Sequence, residues 1–196
     1  IALRVDKHET LEMFASNSSV PVINALSDLS HPCQILADLM TFKENSANEL
    51  EKVCWIGDGN NVCNSYVEAS KILDFELSIY CPKEYSPDPS FLNYAKENSS
   101  FANSREEAAK GADIITTDVW VSMGDEKTKE KAFQGYFVDT DLIENTGKES
   151  IFLHCLPAHR GQEITFDLME HPSSKVLQQA ENRMHVQEAL IENLLS

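Results

Sequence analysis

Apolar positions along this chain alternate between two spacings, which predicts alternating strands and helices. Short apolar runs typical of buried strands lie within residues 51–56, 75–81, 112–120 and 151–154. Helical spacing of apolar residues lies between and beyond them, within residues 31–45, 62–73, 87–98, 104–111 and 181–195. Strands alternating with helices indicate an α/β fold, with a doubly wound parallel sheet covered by helices on both faces.

The ends of the predicted strands and the start of one helix carry the candidate chemistry. Ligands of such sheets bind beyond the carboxyl ends of the strands, and the loops there begin with Gly57, Asp118 and Cys155. His31 and Gln34, in the first turn of helix 31–45, are three residues apart and so share one side of it. An imidazole and a carboxamide can bond both the carbonyl oxygen and the amide-like nitrogen of a small ligand. We therefore expect one site at this edge.

Two of these loops also have simpler explanations. The run GDGNN, residues 57–61, follows a strand, but a dinucleotide fingerprint would need glycine where Val62 stands, so the glycines indicate a backbone shape and leave Asn61 free to bond a ligand. Asp118, followed by Ser122-Met123-Gly124, fits either a capped turn or a carboxylate that binds a cationic substrate.

Cys155 and Arg183 are equally ambiguous when each is taken alone. Cys155 fits inert core or a thiol held at the mouth of the sheet, because Pro157 fixes the chain that leaves the strand. A covalent mechanism would need a base, and we expect His154 to face away from the thiol, since adjacent strand residues point to opposite faces. Arg183 is predicted to open the last helix, where an isolated arginine is usually a surface residue.

Composition narrows the class of protein. The 196 residues, 42% of them hydrophobic, suit one domain or one domain with part of another. A net charge of −16 with four scattered arginines argues against nucleic-acid binding. We expect no membrane segment, because no apolar run reaches the roughly 18 to 20 residues that one needs. Five cysteines without a CxxC pair favour a reducing cytoplasm and no metal site. The chain opens inside a pattern at Ile1, which suggests part of a longer protein.

Five segments in their order and spacing resemble the C-terminal part of the ornithine carbamoyltransferases, in the aspartate/ornithine carbamoyltransferase family. They are HPCQ at 31–34, GDGNN at 57–61, DVWVSMG at 118–124, HCLP at 154–157 and ENRMH at 181–185. The resemblance implies transfer of the carbamoyl group of carbamoyl phosphate to the side-chain amine of L-ornithine, giving citrulline and phosphate without a metal or organic cofactor. It also implies a homotrimer or higher homo-oligomer.

The resemblance also implies a role for each matching residue. His31 and Gln34 would contact the carbamoyl oxygen and nitrogen, and Arg183, Cys155 and the Leu156 carbonyl would polarise and orient that group. The ornithine would be held by Asn61, Asp118, Ser122 and Met123. His31, Cys155 and Arg183 form the expected catalytic set. The family's phosphate-binding run, Ser-Thr-Arg-Thr-Arg, is absent from these residues.

The implied organisation has three parts. Residues 1–36 would be the remnant of an N-terminal α/β domain that binds carbamoyl phosphate, with the start of a connecting helix. Residues 37–180 would be the ornithine domain, and residues 181–196 a terminal helix that packs back on the first domain. Three alternatives remain: a carbamoyltransferase for putrescine or N-acetylornithine, a nucleotide-binding reductase, and a non-catalytic module with the same fold.

Overall fold

Two parallel sheets form the framework of the protein. The structure is a computed structural model that describes residues 1–122 and 127–196. A two-stranded sheet pairs β1 (Ala2–Arg4) with β2 (Ile23–Leu26). A five-stranded parallel sheet has the order β5-β4-β3-β6-β7, made of β3 (Lys52–Ile56), β4 (Glu76–Tyr80), β5 (Ser99–Phe101), β6 (Ile114–Thr117) and β7 (Ile151–His154). The predicted α/β class and parallel sheet are confirmed.

Helices connect and cover these strands. The α-helices are α1 (His8–Asn17), α2 (Pro32–Asn45), α3 (Asn61–Leu73), α4 (Pro89–Tyr94), α5 (Arg105–Ala109), α6 (Thr140–Glu144) and α7 (Val176–Leu195). Short 3-10 helices span Lys83–Tyr85, Lys127–Phe133 and Leu168–Glu170. None of the helices in the described part of the chain combines the length and apolarity that a bilayer crossing requires.

The large sheet separates two apolar cores, as expected for a sheet covered on both faces. Along β3, Val53 and Trp55 enter one core, while Cys54 and Ile56 enter the other. All four side chains are fully buried. Alternate residues of a strand point to opposite faces, so β3 reads as an uninterrupted apolar run because it lies in the middle of the sheet.

The prediction of a helix over residues 87–98 is wrong in length. Helix α4 covers only Pro89–Tyr94, capped by the Asp88 carboxylate, which accepts a hydrogen bond from the Ser90 N–H at 2.8 Å. The chain then turns, and β5 pairs with the outer side of β4. The sequence pattern missed this strand because its Ser-Ser-Phe residues lie on an edge and are only partly buried.

Helix α7 begins at Val176, not at residue 181, so Arg183 lies two turns inside the helix instead of opening it. The first turn escaped the sequence pattern because it buries Val176 and Gln179, one apolar and one polar residue, while Leu177 points to solvent. Helix α7 packs along α2. The last helix therefore meets the helix that begins with the HPCQ segment.

Candidate functional site

Arg183, Gln34 and His31 meet where α7 crosses the start of α2. His31 is the N-cap of α2, and its backbone N–H donates to the Ser65 hydroxyl at 2.7 Å. The Arg183 Nη1 donates to Gln34 Oε1 at 2.6 Å and lies 3.4 Å from His31 Nε2. The structure thus brings together three residues that lie up to 152 positions apart in sequence.

His31 presents a buried ring N–H that the described residues leave unpaired. Burial lowers the pKa of this imidazole to about 4, helped by the positive charges of Arg183 and Arg4, so the ring is neutral near pH 7. A guanidinium can only donate, so Nε2 faces it as an acceptor and the ring proton resides on Nδ1. Among residues 1–122 and 127–196, Nδ1 has no hydrogen-bond partner. A ligand oxygen could accept a hydrogen bond from this Nδ1–H.

Asp38 connects this group to the rest of the fold. Its Oδ1 accepts from Gln34 Nε2 at 2.8 Å and from Gln179 Nε2 at 2.6 Å, and its Oδ2 accepts from the Tyr66 hydroxyl at 2.6 Å. Gln179 in turn accepts from the His154 backbone N–H at 3.0 Å. Burial raises the pKa of Asp38 to about 6, although all three hydrogen bonds oppose that rise.

The second cluster is centred on the Asp118 carboxylate, just beyond β6. Oδ2 accepts from Asn60 Nδ2 at 2.7 Å, while Oδ1 accepts from the Cys155 thiol at 3.0 Å and from the Val119 N–H at 2.8 Å. Burial raises the pKa of the Cys155 thiol well above its usual range, and the adjacent Asp118 charge adds to the rise. The thiol is therefore a protonated donor and not a nucleophile. The predicted convergence of the strand ends is confirmed.

The expectation that His154 lies away from the thiol is wrong. One ligand atom each of Asp118, His154 and Cys155 lie within 4.8 Å of one another, because β7 ends at His154 and Cys155 already belongs to the turn. The ring is nevertheless engaged: Nδ1 accepts from the Leu156 N–H at 3.0 Å, and Nε2 lies 3.3 Å from Glu163 Oε1. Each atom of these three side chains that could coordinate a metal already has a hydrogen-bond partner.

The turn after β7 holds Leu156 in an unusual backbone conformation. Its φ of 56° lies in the left-handed region, which costs an L-residue roughly 1–2 kcal/mol. The hydrogen bond from its N–H to His154 helps to hold it there. Strain of this kind concentrates at binding sites, and it lies next to Cys155.

The GDGNN loop has the backbone role that its glycines predicted. Gly57 has a φ of 123°, and a Cβ on Gly59 would lie 2.3 Å from the Pro87 nitrogen. Asn60, not Asn61, contacts Asp118, and its Oδ1 caps α3 by accepting from the N–H groups of Val62 and Cys63. The Asn61 side chain donates to the Ser27 carbonyl at 2.7 Å, which joins α3 to the loop before α2.

The loop after Asp118 is described only in part. Trp120 is buried, and its Nε1 donates to the Tyr136 carbonyl at 2.9 Å. Ser122 is half-buried, whereas Met123 lies outside the described residues. A cavity of about 650 Å³ lies beside this loop, lined by Trp120, Gln134, Phe137 and others. None of its lining residues belongs to the two clusters.

Sequence patterns missed four residues that the structure adds to the site. Asp38 and Gln179 lie on helices as buried polar residues, Asn60 was hidden beside Asn61, and Arg4 acts on His31 from β1. A signal was available for Asp38, because an acid four residues after Gln34 faces the same side of α2. No comparable signal indicated Gln179, which precedes the predicted helix.

Together the two clusters combine hydrogen-bond donors, the Arg183 guanidinium and the His31 imidazole, with the carboxylate of Asp118. Arg183 and His31 can stabilise a developing oxyanion, and Asp118 can bind a cationic or amine-bearing group. The Asp118–Cys155 contact lies at the carboxyl edge of the sheet. The Arg183–Gln34 contact lies where α7, which bonds to the end of β7, meets α2.

Comparison with known proteins shows which family the chain belongs to. The family model for the aspartate/ornithine carbamoyltransferase Asp/Orn binding domain matches residues 50–194, and the model for the carbamoyl-P binding domain of the same family matches residues 1–44. The chain is 46% identical to the ornithine carbamoyltransferase of Halorhodospira halophila and 48% identical to that of Acinetobacter baylyi. All of this chain aligns in both, with 66% and 65% of the two relatives.

Solved structures give the same result. The ornithine carbamoyltransferase of Thermus thermophilus superposes with a TM-score of 0.90 at 44% identity, covering 100% of this chain and 66% of that one. The anabolic enzyme of Campylobacter jejuni gives 0.91 at 40% identity, covering 98% and 68%. The chain thus spans slightly less than two thirds of the length of the first relatives. With these matches across both the fold and the sequence, the chain belongs to the aspartate/ornithine carbamoyltransferase family.

Proposed function

We propose that the protein containing this chain is an ornithine carbamoyltransferase. It transfers the carbamoyl group of carbamoyl phosphate to the side-chain amine of L-ornithine, giving L-citrulline and phosphate, with no metal or organic cofactor. The observation that carries the proposal is the pairing of the Arg183–Gln34–His31 group with the Asp118–Cys155 group at one edge of the sheet. One group suits the carbamoyl end and the other suits the amino acid.

The carbamoyl group would be bound by donors of two kinds. His31 Nδ1 is a buried donor without a partner among residues 1–122 and 127–196, and it suits the carbamoyl oxygen. The Gln34 carboxamide oxygen suits the carbamoyl NH2. Arg183, Cys155 and the Leu156 carbonyl would polarise and orient the same group. When the amine nitrogen attacks the carbonyl carbon, negative charge develops on oxygen, and each well-aimed donor stabilises it by about 2–4 kcal/mol.

The amino acid would be held by Asp118, Asn61, Ser122 and Met123. The attacking amine must be neutral, so Asp118 is cast as a binding group and not as a covalent catalyst. After attack, the amine nitrogen loses a proton and the C–O bond to phosphate breaks. Alignment of the two reactants lowers the activation free energy by up to roughly 7–11 kcal/mol. The reaction therefore needs no covalent intermediate on the protein.

The wider assignment has three further parts. Residues 1–36 would complete a carbamoyl-phosphate domain, residues 37–180 would form the ornithine domain, and residues 181–196 would pack on the first domain. The protein would be a cytoplasmic homotrimer or higher homo-oligomer that acts in arginine biosynthesis. Its net charge of −16 argues against nucleic acid as a partner and supports small molecules as its ligands.

The test is citrulline formation from ornithine and carbamoyl phosphate by the complete protein, with the 196-residue chain as control. We expect activity in the complete protein only, because the Ser-Thr-Arg-Thr-Arg run that binds phosphate in the family is absent from these 196 residues. Putrescine and N-acetylornithine, offered separately, should be poor acceptors. Turnover of either in preference to ornithine would contradict the acceptor assignment.

A further inference from the structure

Gln34 is wedged between a group that can only accept and a group that can only donate. Its Nε2 faces the Asp38 carboxylate at 2.8 Å, and its Oε1 faces the Arg183 guanidinium at 2.6 Å. An ionised carboxylate has no proton to give, and a guanidinium has no lone pair to offer. Only one of the two orientations of the carboxamide satisfies both neighbours, so its oxygen points away from Asp38.

Asp38 applies the same constraint to a second glutamine. Gln179 Nε2 donates to the same Oδ1 at 2.6 Å, while Gln179 Oε1 accepts from the His154 backbone N–H at 3.0 Å. Tyr66 completes the set by donating to Oδ2 at 2.6 Å. With Asp38 only 1% exposed, solvent does not compete for these bonds. One carboxylate thus orients two carboxamides on two helices.

We infer that Asp38 is a positioning residue, which makes the site select a ligand that donates a hydrogen bond beside Gln34. This inference rests on the proposed function, in which the donor is the NH2 of a carbamoyl group. A carboxamide oxygen has two lone pairs, so Gln34 Oε1 can accept from Arg183 and from that NH2 together. A ligand with a methyl group in the NH2 position would leave one of these lone pairs unused. Asp38 itself need not touch the ligand.

The selection can be measured with two stable phosphonates of equal charge. Phosphonoacetamide carries NH2 next to its carbonyl, and 2-oxopropylphosphonate carries a methyl group in the same place. Dissociation constants of both are determined by titration calorimetry on the complete protein, without any acceptor amine. Wild type should prefer phosphonoacetamide by about tenfold or more, because the methyl group would cover the second lone pair of Gln34 Oε1 without donating a hydrogen bond to it.

The variant Asp38→Asn removes one of the two constraints on Gln34, since an asparagine side chain can either donate or accept, and leaves only Arg183 to hold the carboxamide oxygen outward. We expect the preference for phosphonoacetamide to fall by about tenfold. In the background Gln34→Leu, adding Asp38→Asn should change the preference no further. An effect that persists there would show that Asp38 acts without Gln34 and would overturn the inference, as would an unchanged preference in Asp38→Asn alone.

A matched control is Asp113→Asn. Asp113 is equally buried at 4% exposure, but it precedes β6 at the opposite edge of the sheet, where it accepts from the N–H groups of Glu51 and Lys52. This variant should keep the wild-type preference. Loss of the preference there would attribute it to general destabilisation and overturn the inference.

If Asp38→Asn does not fold, the exchanged set Gln34→Glu and Gln179→Glu with Asp38→Asn replaces it. In this variant the NH2 group at position 38 would donate to both new carboxylates, and its oxygen would accept from Tyr66. Position 34 would still present an oxygen outward, so the preference for phosphonoacetamide should remain. A lost preference would overturn the inference. Equal binding of both phosphonates by wild type would overturn the carbamoyl subsite and this inference together, whereas a wild-type preference that survives in Asp38→Asn overturns this inference alone.

Discussion

Replacing Asp118 by asparagine should separate substrate binding from structure. The carboxylate accepts three hydrogen bonds, two on Oδ1 and one on Oδ2. An amide with its oxygen in the Oδ1 position would keep the bonds from Cys155 and Val119. Its NH2 would then face the Asn60 NH2, and two donors 2.7 Å apart cannot bond.

The geometry sets the size of the effect. Asn60 can avoid the clash only by turning, which removes its oxygen from the first N–H groups of α3. Loss of one hydrogen bond to a charged group costs about 1.5–3 kcal/mol, and a lost helix cap costs about 1 kcal/mol. We expect the free energy of unfolding to fall by about 2.5–4 kcal/mol. Loss of the charge facing the amino acid should lower kcat/KM for ornithine roughly a hundredfold, since truncation of a buried charged partner costs about 2–5 kcal/mol.

The assay is citrulline formation by the complete protein at saturating carbamoyl phosphate, with unfolding by denaturant measured in parallel. The double variant Asp118→Asn with Asn60→Asp reverses donor and acceptor, so it should recover stability but not ornithine turnover. If the double variant recovers turnover as well, the position of the charge does not matter and the reasoning is refuted. A loss in Asp118→Asn that falls on the KM for carbamoyl phosphate instead, measured at saturating ornithine, would also refute it.

Three further predictions concern other parts of the site. Cys155→Ser keeps a donor for the Asp118 carboxylate and should retain more ornithine turnover than Cys155→Ala. The control Cys54→Ala, in the core, should leave kcat/KM for ornithine almost unchanged. Equal loss in all three variants would contradict the site. The pKa of His31 is about 4 when folded and 6.5 when unfolded, so the stability from its neutral ring is full above pH 6.5 and is lost as pH falls through 4, about 3 kcal/mol in all. The stability of wild type relative to His31→Gln should therefore decline over that range, and a constant difference would disprove the lowered pKa. Gly59→Ala, whose Cβ would meet backbone atoms at 2.3–2.5 Å, should destabilise the protein more than Gly147→Ala, whose Cβ meets open space and which has only an unfavourable φ. Denaturant unfolding measures both, and a larger loss in Gly147→Ala would contradict this prediction.

The strand ends were predictable from sequence because their causes are local. The central strands are short and largely buried, and the residues directly after β6 and β7 are Asp118 and Cys155. Parallel pairing then forces these residues to the same edge. The 3.0 Å contact between Asp118 and Cys155 agrees with that rule.

The helix-borne part of the site was less predictable because tertiary contacts decide it. The first turn of α7 has no regular apolar spacing and forms because Gln179 bonds to Asp38 and to the His154 backbone. A pattern search counts a buried glutamine as polar and ends the helix there. Strand β5 was missed for a similar reason, since its register comes from β4 and not from its own composition.

The crossing of α7 over α2 constrains the order in which the site can assemble. Arg183 and Gln179 lie on α7, which follows every strand of the large sheet, and their partners lie on α2, which precedes all of those strands. During synthesis, a ribosome-bound chain that has already completed β7 has Asp118 beside Cys155 but still lacks the guanidinium. Such a nascent domain has every strand of the large sheet, yet the pocket that we propose for the carbamoyl group stays open until the last helix emerges from the exit tunnel.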